Sequence, residues 1–124
     1  MNKKFYELNI WQKGHELLMK VYEITSKYPT EEKYSLVPDT RRSANSVIAN
    51  IAEAHGRYHF ADKIRVLYIS RGEVEETQSH LRVALGRNYI SKDDFEYLDN
   101  EYEGLKIGIN NYIQSISKQK DSFE

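Results

Sequence analysis

The stretch from Arg41 to Arg57, RRSANSVIANIAEAHGR, decides the fold. Its apolar residues recur at the i, i+3, i+4, i+7 spacing of one helical face: Ala44, Val47, Ile48, Ile51 and Ala52. The opposite face carries five side chains that can hydrogen-bond: Arg42, Ser46, Asn50, Glu53 and Arg57. Solubility alone does not require five such groups together. The pattern therefore predicts a helix with two ordered faces, one apolar and one polar.

The chain contains few helix-breaking residues, only six glycines and two prolines, and these divide it into long helical segments. The four predicted helices span about residues 11–27, 40–57, 59–86 and 92–117. Asp39 is the expected N-cap of the second helix, just after Pro38. Arg71 and Gln78 interrupt the apolar repeat of the third helix, whereas the fourth shows an unbroken three-four pattern.

Four helices without strand-like alternation predict an all-α fold, an antiparallel up-and-down four-helix bundle. At 124 residues, the length fits a single domain spanning residues 1–124. The middle helices carry more apolar or specifically polar surface than one small bundle buries. Ile69, Gly72 and Val83, for example, form a second line on the third helix. We therefore expect another copy of the chain to cover this surplus surface, giving a homo-oligomer.

Composition excludes several classes of protein. The chain has no cysteine, which excludes disulfides, thiol catalysis and cysteine-ligated zinc. The first residues lack the uninterrupted apolar stretch of a signal peptide. No segment is apolar over the ~18 residues that a membrane span needs. We therefore expect a soluble, cytoplasmic protein that does not associate with membranes.

Catalysis and metal binding also find little support in the sequence. It contains no glycine-rich phosphate loop and no nucleophile elbow, so we do not expect an enzyme. His55 and His59 have the i, i+4 spacing of two metal ligands, but Gly56 lies between them where the helix is expected to end. The sequence therefore predicts no catalytic residues, no metal site and no cofactor.

Charge is segregated along the chain although the net charge is only −1. All seven arginines lie between residues 41 and 90, and ten of the eleven lysines lie outside that range. The third helix carries the candidate contacts to a nucleic-acid backbone: Lys63, Arg65, Arg71, Arg82 and Arg87. The alternative is a solvated face whose cations pair with Glu73, Glu75, Glu76 and the acidic fourth helix, and the slightly negative net charge favours it.

The polar face of the second helix also has two interpretations. Arg42, Ser46, Asn50, Glu53 and Arg57 can form a structural network that holds helix to helix or subunit to subunit. In that case Glu53, flanked by arginines, supplies the pairing that buried charges need. The alternative is a site for a phosphate or a partner. The structural interpretation is the preferred one.

The segment LVPDTRRSANSVIANIAEAHGR (36–57), followed by ISRGEVEE (69–76) and LGRNYI (85–90), resembles the small bundle proteins of the 23S rRNA intervening-sequence type. These include accessory proteins of diversity-generating retroelements. The resemblance implies a homopentameric ring, and in accessory members a basic surface that binds nucleic acid and a reverse transcriptase. Two departures occur: Asp39 replaces a usual glutamine, and Ala54 replaces a usual glycine after Glu53.

Two functions from different classes follow from these observations. The first is a non-enzymatic oligomeric accessory protein that binds the RNA or DNA backbone with little base preference. The second is a structural or protein-interaction scaffold in which intersubunit ion pairs consume the same arginines. Salt separates the two, because backbone binding weakens steeply as ionic strength rises.

Overall fold

A computed structural model describes residues 3–123 of the chain, and the helical content of this range confirms the all-α prediction. The four long helices are α1 (Asn9–Thr25), α2 (Leu36–Gly56), α3 (Phe60–Gly86) and α4 (Lys92–Phe123). Short 3-10 turns precede α1 and α2, and the described range contains no strand. Each helix packs against the next and α4 also contacts α1, which is the packing order of an up-and-down bundle. Within this range no helix is both long and apolar enough to cross a bilayer.

The start of α2 differs from the sequence prediction. The helix begins at Leu36 rather than at residue 40, so Asp39 lies in its first turn and Ser35 occupies the N-cap position. Pro38 is tolerated because the first backbone N–H groups of a helix have no intrahelical acceptor. The Ser35 hydroxyl donates to Glu32 Oε1 at 2.7 Å instead of capping the helix. Pro38, which the sequence suggests as a boundary, is therefore part of the helix.

The ends of α1 and α4 also shift. α1 ends at Thr25, whose hydroxyl donates to the carbonyl oxygen of Val21 at 2.7 Å, and the backbone then tightens into a turn. α4 continues to Phe123 instead of ending near residue 117. No proline or glycine follows Gly108 to stop it, and the Phe123 ring lies 5.8 Å from that of Phe60 on α3. The fourth helix is therefore longer than its apolar repeat.

The core combines side chains from all four helices. The largest buried apolar ones are Leu17, Val21, Val47, Ile51, Leu67, Val74, Leu81, Leu98, Tyr102 and Ile109. The two polar interruptions of α3 face α4 at the margin of this core. Buried Gln78 donates to Asp99 Oδ1 at 3.2 Å, and Arg71 donates to Asn110 Oδ1 at 2.7 Å. The breaks in the apolar pattern therefore mark polar contacts between α3 and α4.

A close approach between α1 and α2 depends on Gly14. This glycine is buried, and a Cβ atom added to it would overlap the Cγ2 atom of Ile48 on α2. Glycine is unfavourable in a helix interior by ~1 kcal/mol relative to alanine. Its presence here is explained by the packing, since only a residue without a side chain fits at this distance.

We predict that Gly14→Ala lowers the free energy of unfolding, because overpacking of a close contact costs about 1–3 kcal/mol. The matched control is Gly104→Ala on α4, where an added Cβ meets no atom within 4 Å. That change is expected to leave stability unchanged or raise it by up to ~1 kcal/mol. Urea unfolding followed by circular dichroism measures both. A Gly14→Ala protein as stable as Gly104→Ala would contradict the assigned contact.

Candidate functional site

The polar face of α2 divides into two groups, of which the first reaches across to α3. The Ser46 hydroxyl donates to Glu73 Oε2 at 2.9 Å, and Asn50 Nδ2 donates to the Ser46 carbonyl and hydroxyl oxygens at 2.8 and 3.0 Å. Arg42 forms an ion pair with Glu76, and its NH1 atom lies 3.8 Å from Glu73 Oε2. We call Arg42, Ser46, Asn50, Glu73 and Glu76 the α2–α3 polar cluster.

The second group consists of Glu53 and Arg57, which pair with each other. Arg57 Nε donates to Glu53 Oε2 at 2.8 Å, one turn along an exposed part of α2. Glu53 lies about three turns from Arg42, too far along the helix for contact. Glu53, which the sequence predicts as the partner of both arginines, therefore pairs only with Arg57. Arg42 instead pairs with carboxylates of α3.

Electrostatics tie the polar cluster to the neighbouring His80. Burial acts to raise the pKa of Glu76, but hydrogen bonds from Arg42 and His80 outweigh it, so the net pKa is lowered from the ordinary 4.5. His80 Nε2 lies 3.3 Å from Glu76 Oε2. Glu73 Oε1 is buried without a hydrogen-bond partner among residues 3–123. The cluster is therefore anionic on the α3 side and cationic on the α2 side.

The predicted nucleic-acid contacts on α3 do not share one face. Lys63 Nζ donates to the His55 and Ala54 carbonyl oxygens at 2.9 and 3.4 Å, and burial lowers its pKa. It thus caps the C-terminus of α2. Arg65 is exposed and has no partner within the described range. Lys63 therefore contacts the end of α2, whereas Arg65 on the same helix points to solvent.

The other three arginines of this set contact groups of their own subunit. Arg71 bonds Asn110, as described above, and its guanidinium carbon lies 4.7 Å from the centre of the Tyr68 ring. Arg82 donates to both oxygens of Asp99 at 2.7 and 3.1 Å. Arg87 Nε donates to the Tyr89 hydroxyl at 3.3 Å. Only Arg82 of the three meets a carboxylate, so positive charge persists mainly on the first half of α3.

The outward face of α3 carries apolar and small residues in heptad spacing, interrupted at Glu76, which pairs with Arg42 of α2. Ile69 is 44% exposed and Val83 is 50% exposed, although both are apolar. Gly72 and Gly86 lie on the same line, and an added Cβ at either would meet no atom within 4 Å. We call these four residues, with Ser79 between them, the α3 stripe. Packing within the subunit accounts for none of its glycines.

Sequence reasoning missed Arg41, which begins the stretch quoted above but received no role. Successive helical residues are rotated by about 100°, so Arg41 faces α1 while Arg42 faces α3. Arg41 Nε donates to the Thr25 hydroxyl at 2.9 Å. Within residues 3–123 no carboxylate lies at ion-pair distance from it. The doubled arginine was the signal, since two adjacent arginines cannot serve the same helix face.

No metal centre forms within residues 3–123, where no three potential ligands from histidine, aspartate and glutamate converge. Gly56 is the last residue of α2 and His59 is the N-cap of α3, so the two histidines do not share a helix. His55 Nε2 instead lies 2.8 Å from the Lys3 carbonyl oxygen.

Comparison with known families assigns the chain to one of them. The family model described as 23S rRNA-intervening sequence protein matches residues 6–111. The chain belongs to this family. The match confirms the resemblance carried by residues 36–57 and covers α1, α2, α3 and most of α4.

Solved structures support the same fold. A crystal structure from Bacteroides thetaiotaomicron, described as a protein with unknown function from the S23 ribosomal protein family, superposes with a TM-score of 0.78. The two sequences are 24% identical, and the match covers 85% of this chain and 95% of the other. No curated protein matches the chain. The comparisons therefore give a family and a fold, and neither names an enzymatic activity.

We predict that Glu76→Gln destabilises the protein more than Glu53→Gln at neutral pH. The first change weakens a contact between two helices by ~1 kcal/mol, whereas the second weakens an exposed pair worth at most ~0.5 kcal/mol. Because the pKa of Glu76 is lowered, its contribution is complete above pH 4.5 and is lost as the pH falls through the lower folded value.

Urea titrations at neutral and acidic pH, at one fixed protein concentration, measure the free energy of unfolding of each variant. The difference in this free energy between wild type and Glu76→Gln should become smaller in acid. Two outcomes would show that Glu76 does not link α2 to α3. One is an equal difference in unfolding free energy from wild type at both pH values, and the other is an equal loss of unfolding free energy for Glu76→Gln and Glu53→Gln at neutral pH.

Proposed function

We propose that the protein is a non-enzymatic helical-bundle subunit that assembles with copies of itself into a scaffold. The observation that carries the proposal is the α3 stripe, which exposes Ile69 and Val83 on one line. Exposed apolar residues scattered singly are normal, but two that share one helical line with small residues are the pattern of a helix–helix interface. The pentameric ring implied by the family resemblance is the expected form of the assembly.

The glycines of the stripe support contact with another helix. A glycine in a helix interior costs ~1 kcal/mol relative to alanine. Gly72 lies inside α3, and its surroundings within the subunit would accept a Cβ atom without any contact. A helix of a neighbouring subunit that approaches closely here would give Gly72 a structural reason, as Ile48 does for Gly14, whereas Gly86 ends α3, where glycine is common.

Charge supports a second copy of this chain as the occupant. Arg65 lies one turn before Ile69 and has no partner within residues 3–123. The surface around the stripe therefore offers an exposed cation, and a carboxylate of a second copy would be its complementary group.

We predict that Ile69→Glu and Val83→Glu reduce the assembly to monomers while the subunit stays folded, because both side chains are already exposed in it. The matched control is Ile107→Glu on α4, where a 59% exposed isoleucine stands among polar neighbours such as Glu103 and Asn111. Light scattering after size-exclusion chromatography gives the mass. A wild-type monomer, or equal dissociation of all three variants, would refute the stripe as interface.

We predict that Gly72→Ala has opposite effects on subunit and assembly. Alanine favours the helix by ~1 kcal/mol and meets no atom of its own subunit, so a monomeric Val83→Glu background should gain stability. In the otherwise wild-type chain the added methyl group should weaken association, which dilution monitored by sedimentation measures. Stronger or unchanged association would mean that no helix approaches Gly72 closely.

The second candidate function is nucleic-acid association through the first half of α3. Lys63, Arg65 and Arg71 contact carbonyl, solvent and amide groups but no carboxylate, so their charges are not neutralised. The exposed Tyr68 beside Arg71 adds an aromatic face suited to stacking. Repetition around a ring would multiply this charge for RNA or DNA. A reverse transcriptase is the protein partner that the family resemblance implies.

We predict, for this second candidate, that structured RNA binds at low salt and that Arg65→Gln weakens it. Losing one phosphate contact should reduce the slope of log affinity against log salt by about 0.9. Arg82→Gln is the control, because Asp99 already neutralises that arginine. Filter binding at several salt concentrations tests this. If no RNA is retained at any salt concentration, nucleic-acid association is rejected and the scaffold is the remaining proposed function.

A further inference from the structure

A cationic cleft lies between the end of α1 and the start of α2, away from the α3 stripe. It consists of two adjoining open cavities of about 340 and 310 Å³ that share Lys33, Val37 and Arg41. Among the described residues, none that lines either cavity is an aspartate or a glutamate. We call it the Arg41 cleft, and its chemistry is that of an anion site.

The guanidinium of Arg41 is held in place by neutral groups. Its Nε donates to the Thr25 hydroxyl at 2.9 Å, and its NH2 donates to the Tyr22 carbonyl oxygen at 3.4 Å. Its central carbon lies 4.6 Å from the centre of the Tyr22 ring. The Thr25 hydroxyl donates its proton to the Val21 carbonyl oxygen. The Thr25 oxygen therefore has a lone pair free to accept the hydrogen bond from Arg41. Arg41 therefore needs little further ordering to bind a ligand.

The positive charge of the cleft is not neutralised. Arg42, Arg57 and Arg82 each pair with a carboxylate, but Arg41 has none at ion-pair distance within residues 3–123. Its NH1 atom has no hydrogen-bond partner in the same range. Lys33 Nζ likewise meets no carboxylate there and lies 5.5 Å from the centre of the Tyr34 ring.

The acid beside Lys33 in the chain is already engaged. Glu32 accepts hydrogen bonds from the Ser35 and Tyr89 hydroxyls at 2.7 and 2.8 Å. Val37, the second residue of α2, also lines both cavities. The positive end of the α2 dipole therefore adds to the potential of the two cations, and exposed Asp39 in the first turn of α2 offsets part of it.

A buried hydroxyl provides a second, independent indication of a ligand. Tyr28 lines the cleft and is only 8% exposed, and its hydroxyl has no hydrogen-bond partner among the described residues. Burial raises the pKa of Tyr28 to about 12, so the hydroxyl keeps its proton at neutral pH. A buried donor without an acceptor is costly and uncommon. Because the hydroxyl is buried, a small movement of the Tyr28 side chain would expose it to an anionic oxygen bound in the cleft, which would then supply the acceptor.

We propose that the Arg41 cleft binds a phosphate group, carried by a small phosphate ester or by a nucleic-acid backbone. The forked guanidinium of Arg41, the ammonium of Lys33 and the hydroxyl of Tyr28 are donors of three kinds on residues that line the cleft. A phosphate carries about −1.5 to −2 charges at neutral pH and three acceptor oxygens, which suits two unneutralised cations better than a single carboxylate does. This site goes beyond scaffolding and uses none of the α3 cations.

Calorimetric titration of the full chain with inorganic phosphate, AMP and a short single-stranded RNA tests the proposal. We expect Arg41→Gln to weaken binding at least about tenfold, the loss typical of one charge-assisted hydrogen-bond pair. Arg57→Gln is the matched control on the same helix and should bind as wild type. Lys33→Gln removes an exposed cation without touching the core, so it serves if Arg41→Gln fails to fold.

The outcomes distinguish the source of the phosphate. Binding of phosphate and AMP that Arg41→Gln weakens identifies a small ester, whereas Arg41-dependent binding of RNA alone identifies the backbone. RNA binding that depends on Arg65 and not on Arg41 would support the α3 candidate and overturn the cleft. Failure of all three probes to bind wild type, or binding unaffected by both Arg41→Gln and Lys33→Gln, would also overturn it.

Tyr28→Phe separates a ligand contact from a structural role. Removing a hydroxyl that has no partner in the subunit should leave the melting temperature unchanged or higher without ligand. The same variant should bind the phosphate probe several-fold more weakly. Unchanged affinity for the probe would exclude Tyr28 from the site.

Discussion

The contact between α2 and α3 is the constraint on which the rest of the structure depends. It is polar at its centre: the Ser43 and Thr77 hydroxyls are hydrogen-bonded at 2.7 Å, and Ser70 donates to the Val47 carbonyl oxygen at 2.7 Å. All three hydroxyls are buried. Ser43 and Thr77 also bond carbonyl oxygens of their own helices, so rotation or sliding of α3 would break their mutual bond and leave the Ser70 hydroxyl unpaired, at a cost of about 1–3 kcal/mol for Ser70. The rotation of α3 fixed in this way directs Ile69 and Val83 outward.

The sequence was sufficient for the number of helices and for their apolar faces, because hydrophobic periodicity is a local property. It placed Ala44, Val47, Ile48 and Ile51 correctly in the core. It does not predict the contacts of the polar face, since Arg42 finds its carboxylates on another helix, and spacing within α2 carries no information about α3. The sequence predicts too late a start for α2 because Pro38 resembles a helix boundary, although the first turn of a helix accepts proline.

The segregation of charge along the chain has a structural consequence that a count of arginines does not show. The arginine-rich middle and the acidic fourth helix are packed side by side, and Arg82 binds Asp99 across that contact. Lys106 on α4 likewise meets Glu75 on α3 at 2.8 Å. Within residues 3–123, Arg82 is therefore the one cation of the predicted basic track that a carboxylate compensates. The charges that remain lie in the first half of α3, at Arg87 and in the Arg41 cleft.

Arg41 and Arg42 show how neighbouring identical residues acquire different chemistry. Arg42 is oriented by carboxylates, which position its guanidinium and cancel its charge in the same contact. Arg41 is oriented by a hydroxyl and a carbonyl oxygen, which position it without cancelling its charge. The charge of Arg42 is neutralised in the contact that joins two helices. The charge of Arg41 remains available, and a half-buried arginine held rigid without a counter-ion is what a binding site for an anion requires.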